Sequence, residues 1–181
     1  MIAGADEVGL GCLAGPVIAS AIILSGRGSE RTYKDSKKTS EKQRAENYYF
    51  LRRNCYFGIG IASPLEVDQY NVLKASHLAM IRAVHSLPVK PSKIFIDGKY
   101  VPEGLKNAES VIKGDQLIQE ISAASIFAKY YRDSLMAAYH LQLPNYNFKK
   151  TKAILRLSIK MQFLLTDYQR FIEKVLKFND V

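Results

Sequence analysis

Two short apolar runs, residues 1–8 and 16–24, flank a glycine-bearing turn, and this pair narrows the possible folds more than any other stretch of the chain. Both runs are apolar with little alternation, which is the pattern of strands buried on both faces. Adjacent strands of one sheet, covered on each side, are therefore expected. Tyr56–Ala62 alternates bulky and small residues like a third strand, and Lys93–Asp97 and Ala108–Lys113 are further short apolar runs. Helical segments separate them. A charged helix runs to about Arg53 with Ser40 as its N-cap, and Ser63-Pro64 starts a short helix through Asp68. Residues 71–87 carry apolar positions 72, 75, 79 and 83 on one face, widened by 78, 81 and 84, before Pro88 stops the helix. Asp115 opens a long helix over Leu117 to about Tyr139, and Pro144–Phe148 breaks the chain. The expected fold class is α/β, in one domain with a basic helical tail from Lys149 to Phe178.

The 26 Lys and Arg outnumber the 17 Asp and Glu, giving a net charge of +9 that favours a polyanionic partner. The excess is segregated: residues 27–53 carry +5 and residues 129–181 carry +6, which leaves the remainder at −2. Basic flanks around a more acidic centre suit an enzyme that grips phosphates and holds metal. Only two cysteines are present, Cys12 and Cys55, with no signal-like start and no long apolar run. A reduced, soluble, cytoplasmic protein without disulfide, zinc or membrane contact is expected.

Asp6, Glu7, Asp97 and Asp115 fall at or just after the ends of three separate predicted strands, which is how a sheet gathers distant carboxylates. Each has a plain alternative: a wet strand end for Asp6 and Glu7, a turn for Asp97-Gly98, and a helix N-cap for Asp115. Together they are what metal-assisted phosphodiester hydrolysis requires. Because successive strand residues point to opposite faces, Asp6 and Glu7 share a site only if the strand breaks near Gly9. Gly9, Gly11 and Gly15 would let a polyanion approach the backbone closely. Lys37 and Lys38 are candidate phosphate contacts, as are Ser125, Lys129 and Arg132, which follow at spacings of four and three along the long helix. His77 and His85 have no evident partner and read as structural or exposed.

The ordered set Asp6-Glu7-x-Gly-x-Gly, Leu13-Ala-Gly-Pro-Val17, Asp35-Ser-Lys-Lys38, Ile96-Asp-Gly98, Lys113-Gly-Asp115 and Ser122-Ala-Ala-Ser-Ile-x-Ala-Lys129 with Arg132-Asp133 resembles ribonuclease HII over residues 1 to about 148. The resemblance implies a ribonuclease-H-like fold, a mixed sheet flanked by helices, with residues 1–148 as the catalytic domain and 149–181 as a basic helical extension packed on it. It implies Mg²⁺- or Mn²⁺-dependent cleavage of RNA on the 5′ side of a ribonucleotide, in RNA–DNA hybrids or DNA duplexes containing ribonucleotides, leaving 5′-phosphate and 3′-hydroxyl ends. Metal ligation would fall to Asp6, Glu7, Asp97 and Asp115. Nucleic-acid contacts would fall to Gly9, Leu10, Gly11, Lys37, Ser125, Lys129 and Lys152, in a protein expected to be a monomer. Two departures stand out. The family's Gly-Arg-Gly is here Gly9-Leu10-Gly11, followed by Cys12 in place of proline, and its His-Lys-Gly-Tyr-Gly-Thr-like run is replaced by Thr151–Arg156, where Lys152 alone stays in register. A nucleic-acid-binding homologue with weakened turnover is the alternative these departures raise.

Overall fold

The computed structural model describes residues 1–12 and 15–143. The expected chain break at 144–148, the division at 148, the basic tail and Lys152 lie outside the described residues.

Five described strands form one mixed sheet in the order β3-β2-β1-β4-β5, with β1 (Ile2–Val8) at its centre. β2 (Val17–Ile23) and β3 (Tyr56–Ala62) continue antiparallel from β1. β4 (Lys93–Asp97) and β5 (Ala108–Val111) run parallel to it on the other side. The apolar continuity of the first two strands has its cause in helices on both faces. Ala3, Ala5, Ala19 and Ala21 share one core with Ala75, Ala79 and Ala83 of α3 (Val72–His85). Ile22 shares the other with Ala123, Ala124, Ile126 and Phe127 of α5 (Gln119–Gln142) and with Leu51 of α1 (Glu41–Asn54).

The alternation in β3 reflects how closely α3 lies on it. A Cβ at Gly60 would stand 1.9 Å from the Ala79 carbonyl oxygen, so only glycine admits the helix backbone there. That approach also sets the rotation of α3. Its buried stripe is 75, 76, 79, 80, 83 and 84, while the expected flanking positions 78 and 81 are only half-buried. Ser76 tolerates burial because its hydroxyl donates to the Leu73 carbonyl at 2.8 Å.

Local signals fix the helix starts. Ser40 caps α1 in a reciprocal box with Gln43, and Ser63 caps α2 (Pro64–Tyr70) in a second box with Glu66. Arg82 of α3 then bonds both the Glu66 carboxylate (2.7 Å) and the Ile61 carbonyl (2.6 Å), tying α2 and α3 to the end of β3.

The expectation that Asp115 caps a long helix needs correction. The helix is in two pieces, the one-turn α4 (Gly114–Leu117) and α5, separated by Ile118 in an extended conformation. Lys113 occupies the cap position of α4 with φ +57°, and Asp115 sits buried within the first turn.

Candidate active site

Parallel pairing of β1 with β4 brings the first two strand-end carboxylates together. Ala5 lies opposite Ile96 in register, so Asp6 and Asp97, each one residue further, end side by side. Asp97 Oδ1 accepts the Asp115 backbone N–H at 3.3 Å, which joins the start of α4 to the tip of β4. Glu7 belongs to the same group: its carboxyl feels the charges of Asp97, Asp115 and Lys37. The expected break in β1 near Gly9 is present. The strand pairs with β2 through Val8 and ends at Gly9, whose φ of +114° turns the chain.

The electrostatics of this corner follow from burial and crowding. Asp6 is only 5% exposed, and its carboxyl is held well above the usual carboxylate range by desolvation first, then by the charges of Glu7 and Asp97. Glu7 is pushed up to about 7 by burial and then by Asp97, with Lys37 opposing. Asp115 is raised by burial, by Asp97 and by Asp35, against the pull of Lys37 and Lys38. Among the described residues the one ion pair on this cluster, Lys37 Nζ to Asp115 Oδ2, is long at 4.0 Å, and the lysine side chain is 84% exposed. Negative charge is thus concentrated and poorly neutralised, the condition that a divalent cation relieves. Among the described residues, no three acidic, His or Cys side chains are already closed around a single metal position. The donor set fits hard oxygen-seeking ions such as Mg²⁺ or Mn²⁺, with further oxygen ligands needed to complete it.

A layer of hydrogen bonds beneath the carboxylates holds them in place. Ser125 of α5 bonds Asp6 and shares a 3.0 Å contact with Ser36 Oγ, so a relay runs from Ser36 through Ser125 to Asp6. Ser125 is buried, which places it under the site and not on a phosphate-facing surface. Asp35 caps the short 3-10 turn Ser36–Lys38 by accepting the Lys37 N–H at 2.9 Å. Arg44 of α1 donates to the Ser36 carbonyl at 2.9 Å and also to that of Thr39. Asp35, Ser36 and Arg44 were not among the expected site residues; the Asp35-Ser-Lys-Lys38 string hinted at the first two and nothing pointed to Arg44.

The glycine turn forms the adjacent wall. The Cys12 N–H donates to the Gly9 carbonyl at 3.1 Å, closing a tight turn that presents Leu10, 38% exposed, and Gly11 in open space. Gly15 returns the chain with φ +85°, and a Cβ there would stand 2.5 Å from Met136 Sδ. Lys37 stands at the site edge as expected. Lys129 is half-exposed and is already paired with Asp133 at 2.6 Å, one helical turn on, so a phosphate would have to compete for it. Arg132 is buried against Pro16. His77 is half-buried and His85 exposed on α3, away from the carboxylates.

Comparison with known proteins adds a family to this geometry. The family model described as Ribonuclease HII matches residues 3–154. A ribonuclease HII of Alteromonas mediterranea is 48% identical over 149 residues, covering 82% of this chain and 78% of the relative. One from Pelagibacter ubique is 44% identical over 177 residues and covers 94% of each chain, so the likeness extends beyond residue 154. Among solved structures, the ribonuclease H2 of Pyrococcus horikoshii superposes with TM-score 0.68 at 23% identity, covering 95% of this chain and 88% of that one, which shows the shared fold.

Proposed function

Because this chain belongs to the ribonuclease HII family, we propose that the cluster Asp6, Glu7, Asp97 and Asp115 is the catalytic centre of a ribonuclease H. The protein is an endonuclease that degrades RNA paired with DNA, and its chemistry is divalent-metal dependent. Mg²⁺ or Mn²⁺ fits the all-carboxylate donor set. When bound, such ions activate water for attack and neutralise charge on the scissile phosphate. The observation that carries the reading is that four carboxylates from three elements, Asp6 and Glu7 of β1, Asp97 of β4 and Asp115 of α4, act on one another's charge, with Asp6, Glu7 and Asp115 all held above their ordinary ranges.

The chain's own residues supply the rest. Asp6 and Asp97 fix the floor of the site because the β1–β4 pairing leaves them little freedom. The Glu7 carboxyl, raised to about 7, would hold such an ion in its deprotonated form. Lys37 at the rim is exposed enough to meet a phosphate of the bound strand. The amides of the turn from Gly9 to Gly11 stand beside this edge and can approach a 2′-hydroxyl, the group that distinguishes RNA from DNA. Cleavage on the 5′ side of a ribonucleotide, with 5′-phosphate and 3′-hydroxyl ends, completes the reading.

The test uses an end-labelled RNA–DNA hybrid and an all-DNA duplex of the same sequence, with Mg²⁺ and separately with Mn²⁺. Internal cleavage of RNA alone, ending in 3′-hydroxyls, is expected. Cleavage of the all-DNA duplex at a similar rate would overturn the assignment.

A further inference from the structure

Opposite the carboxylates along α1 lies a second basic feature that the catalytic reading does not use. An open groove of about 580 Å³ is lined by Arg27, Arg31, Glu46, Tyr49, Phe50 and Arg53. One end of α1 adjoins Ser36–Lys38, and its other end carries this groove, which over 14 residues sets the two features about 20 Å apart. Three arginines face a single carboxylate here, and among the described residues none of the three is in an ion pair. Arg53 has a plain explanation, since a cation in the last turn complements the helix dipole. Arg27 and Arg31 come from a separate segment and have no such reason to gather at the same place.

The groove is also built in advance. Ser25 Oγ donates to the Asn54 carbonyl at 3.1 Å, Tyr33 Oη donates to the Gly28 carbonyl at 3.0 Å, and a Cβ at Gly28 would stand 2.1 Å from Cys55 Sγ. These contacts pin the arginine-bearing segment to the end of α1. The Arg31 guanidinium lies over the Phe50 ring at 3.4 Å, which fixes its position. Tyr49, 49% exposed, is braced edge-on by Tyr48 and Tyr130 at centroid distances of 5.4 and 5.8 Å.

We propose that this groove binds single-stranded nucleic acid, with the three arginines on successive phosphates and a base stacked on Tyr49. Fixed cations beside a held aromatic ring are the two components of single-strand recognition. An unpaired strand is favoured over a duplex because the exposed Tyr49 ring can stack only on a base whose face is free. The groove would take an unpaired strand flanking the hybrid, at a distance from the hydrolysed bond.

The experiment measures binding of a fluorescein-labelled 12-nucleotide oligothymidylate by anisotropy, in EDTA, across a salt series. The variants are Arg27→Gln/Arg31→Gln/Arg53→Gln, Tyr49→Ala, and a charge-matched control, Lys74→Gln/Lys90→Gln/Lys106→Gln; all six arginine and lysine side chains lie on exposed surface. The arginine variant should lower the slope of log K against log salt by about 2, three contacts at about 0.7 each. Tyr49→Ala should weaken binding about tenfold at constant slope. The control should match the parent, and the rate at saturating blunt hybrid should be unchanged in the arginine variant. Equal weakening by the arginine and lysine variants would show a net-charge effect and overturn the proposal. So would equal competition by a blunt 12-base-pair DNA duplex, or an unchanged slope in the arginine variant.

Discussion

Arg132 Nε donates to the Pro16 carbonyl at 3.1 Å, so a buried guanidinium on α5 holds the returning end of the glycine turn. The same nitrogen lies 3.1 Å from where a Cβ on Gly9 would stand, so the arginine touches both ends of the turn. Arg132→Ala should destabilise the protein by about 2 kcal/mol or more, because a buried carbonyl loses a charged partner. It should also raise KM for hybrid more than it lowers kcat, since the turn beside the carboxylates would lose its brace. Urea denaturation and steady-state kinetics check both; a variant with parental stability and KM would remove Arg132 from this role.

The Glu7 shift predicts how cation affinity depends on pH. Its carboxyl rises from 4.5 to about 7 in the metal-free protein, so between those values the folded state holds a proton that the unfolded state has lost. The contribution of this group to folding stability therefore falls as pH rises from about 4.5 to about 7. Cations require the deprotonated form, so apparent Mn²⁺ affinity should climb over the same window and level off above it. Calorimetry in buffers of different ionisation enthalpy should show protons released on binding at pH 6 and few at pH 8.5. Equal release at the two values would contradict the raised Glu7.

Leu10 stands on the exposed turn where the family places arginine, and it keeps the turn but not the charge. Efficient cutting of long hybrids is expected, with a disproportionate loss on DNA carrying one embedded ribonucleotide, where a single junction must be positioned well. Misplacement at that step can cost on the order of 100-fold. Leu10→Arg should recover part of it. Parental efficiency already equal on the two substrates would defeat this account of the departure.

The sheet and its acidic strand ends were legible because each signal is local: an apolar run, a carboxylate, a glycine. Ser40 and Ser63 could be read as helix starts for the same reason, each followed three residues on by the partner of its capping box. Residues that act across elements were not legible. Ser36, Ser125 and Arg44 meet only because α1 and α5 pack together, and no spacing in the sequence encodes that contact. Spacings of four and three suggested one phosphate-facing face for Ser125, Lys129 and Arg132. The rotation of α5 on the sheet instead buries the first and last and leaves Lys129 at the edge. Asp115 looked like a cap because it precedes a long helix; the extended Ile118 that divides the helix has no distinctive residue type to announce it.

Asp97 is the hinge of the whole assignment, since it lies beside Asp6, accepts the Asp115 N–H and raises the titration of three other carboxyls. Asp97→Asn keeps an acceptor oxygen for that N–H while deleting a repulsive charge, so the metal-free variant should melt at the parental temperature or a few degrees above it. The decisive measurement is single-turnover cleavage of an RNA–DNA hybrid by parent and Asp97→Asn at saturating Mn²⁺. The account predicts hybrid binding close to parental with cleavage reduced by at least 1,000-fold, on the order of 4 kcal/mol of lost transition-state stabilisation. A folded variant that cuts at more than about a tenth of the parental rate, a loss of under ~1.4 kcal/mol, would contradict it.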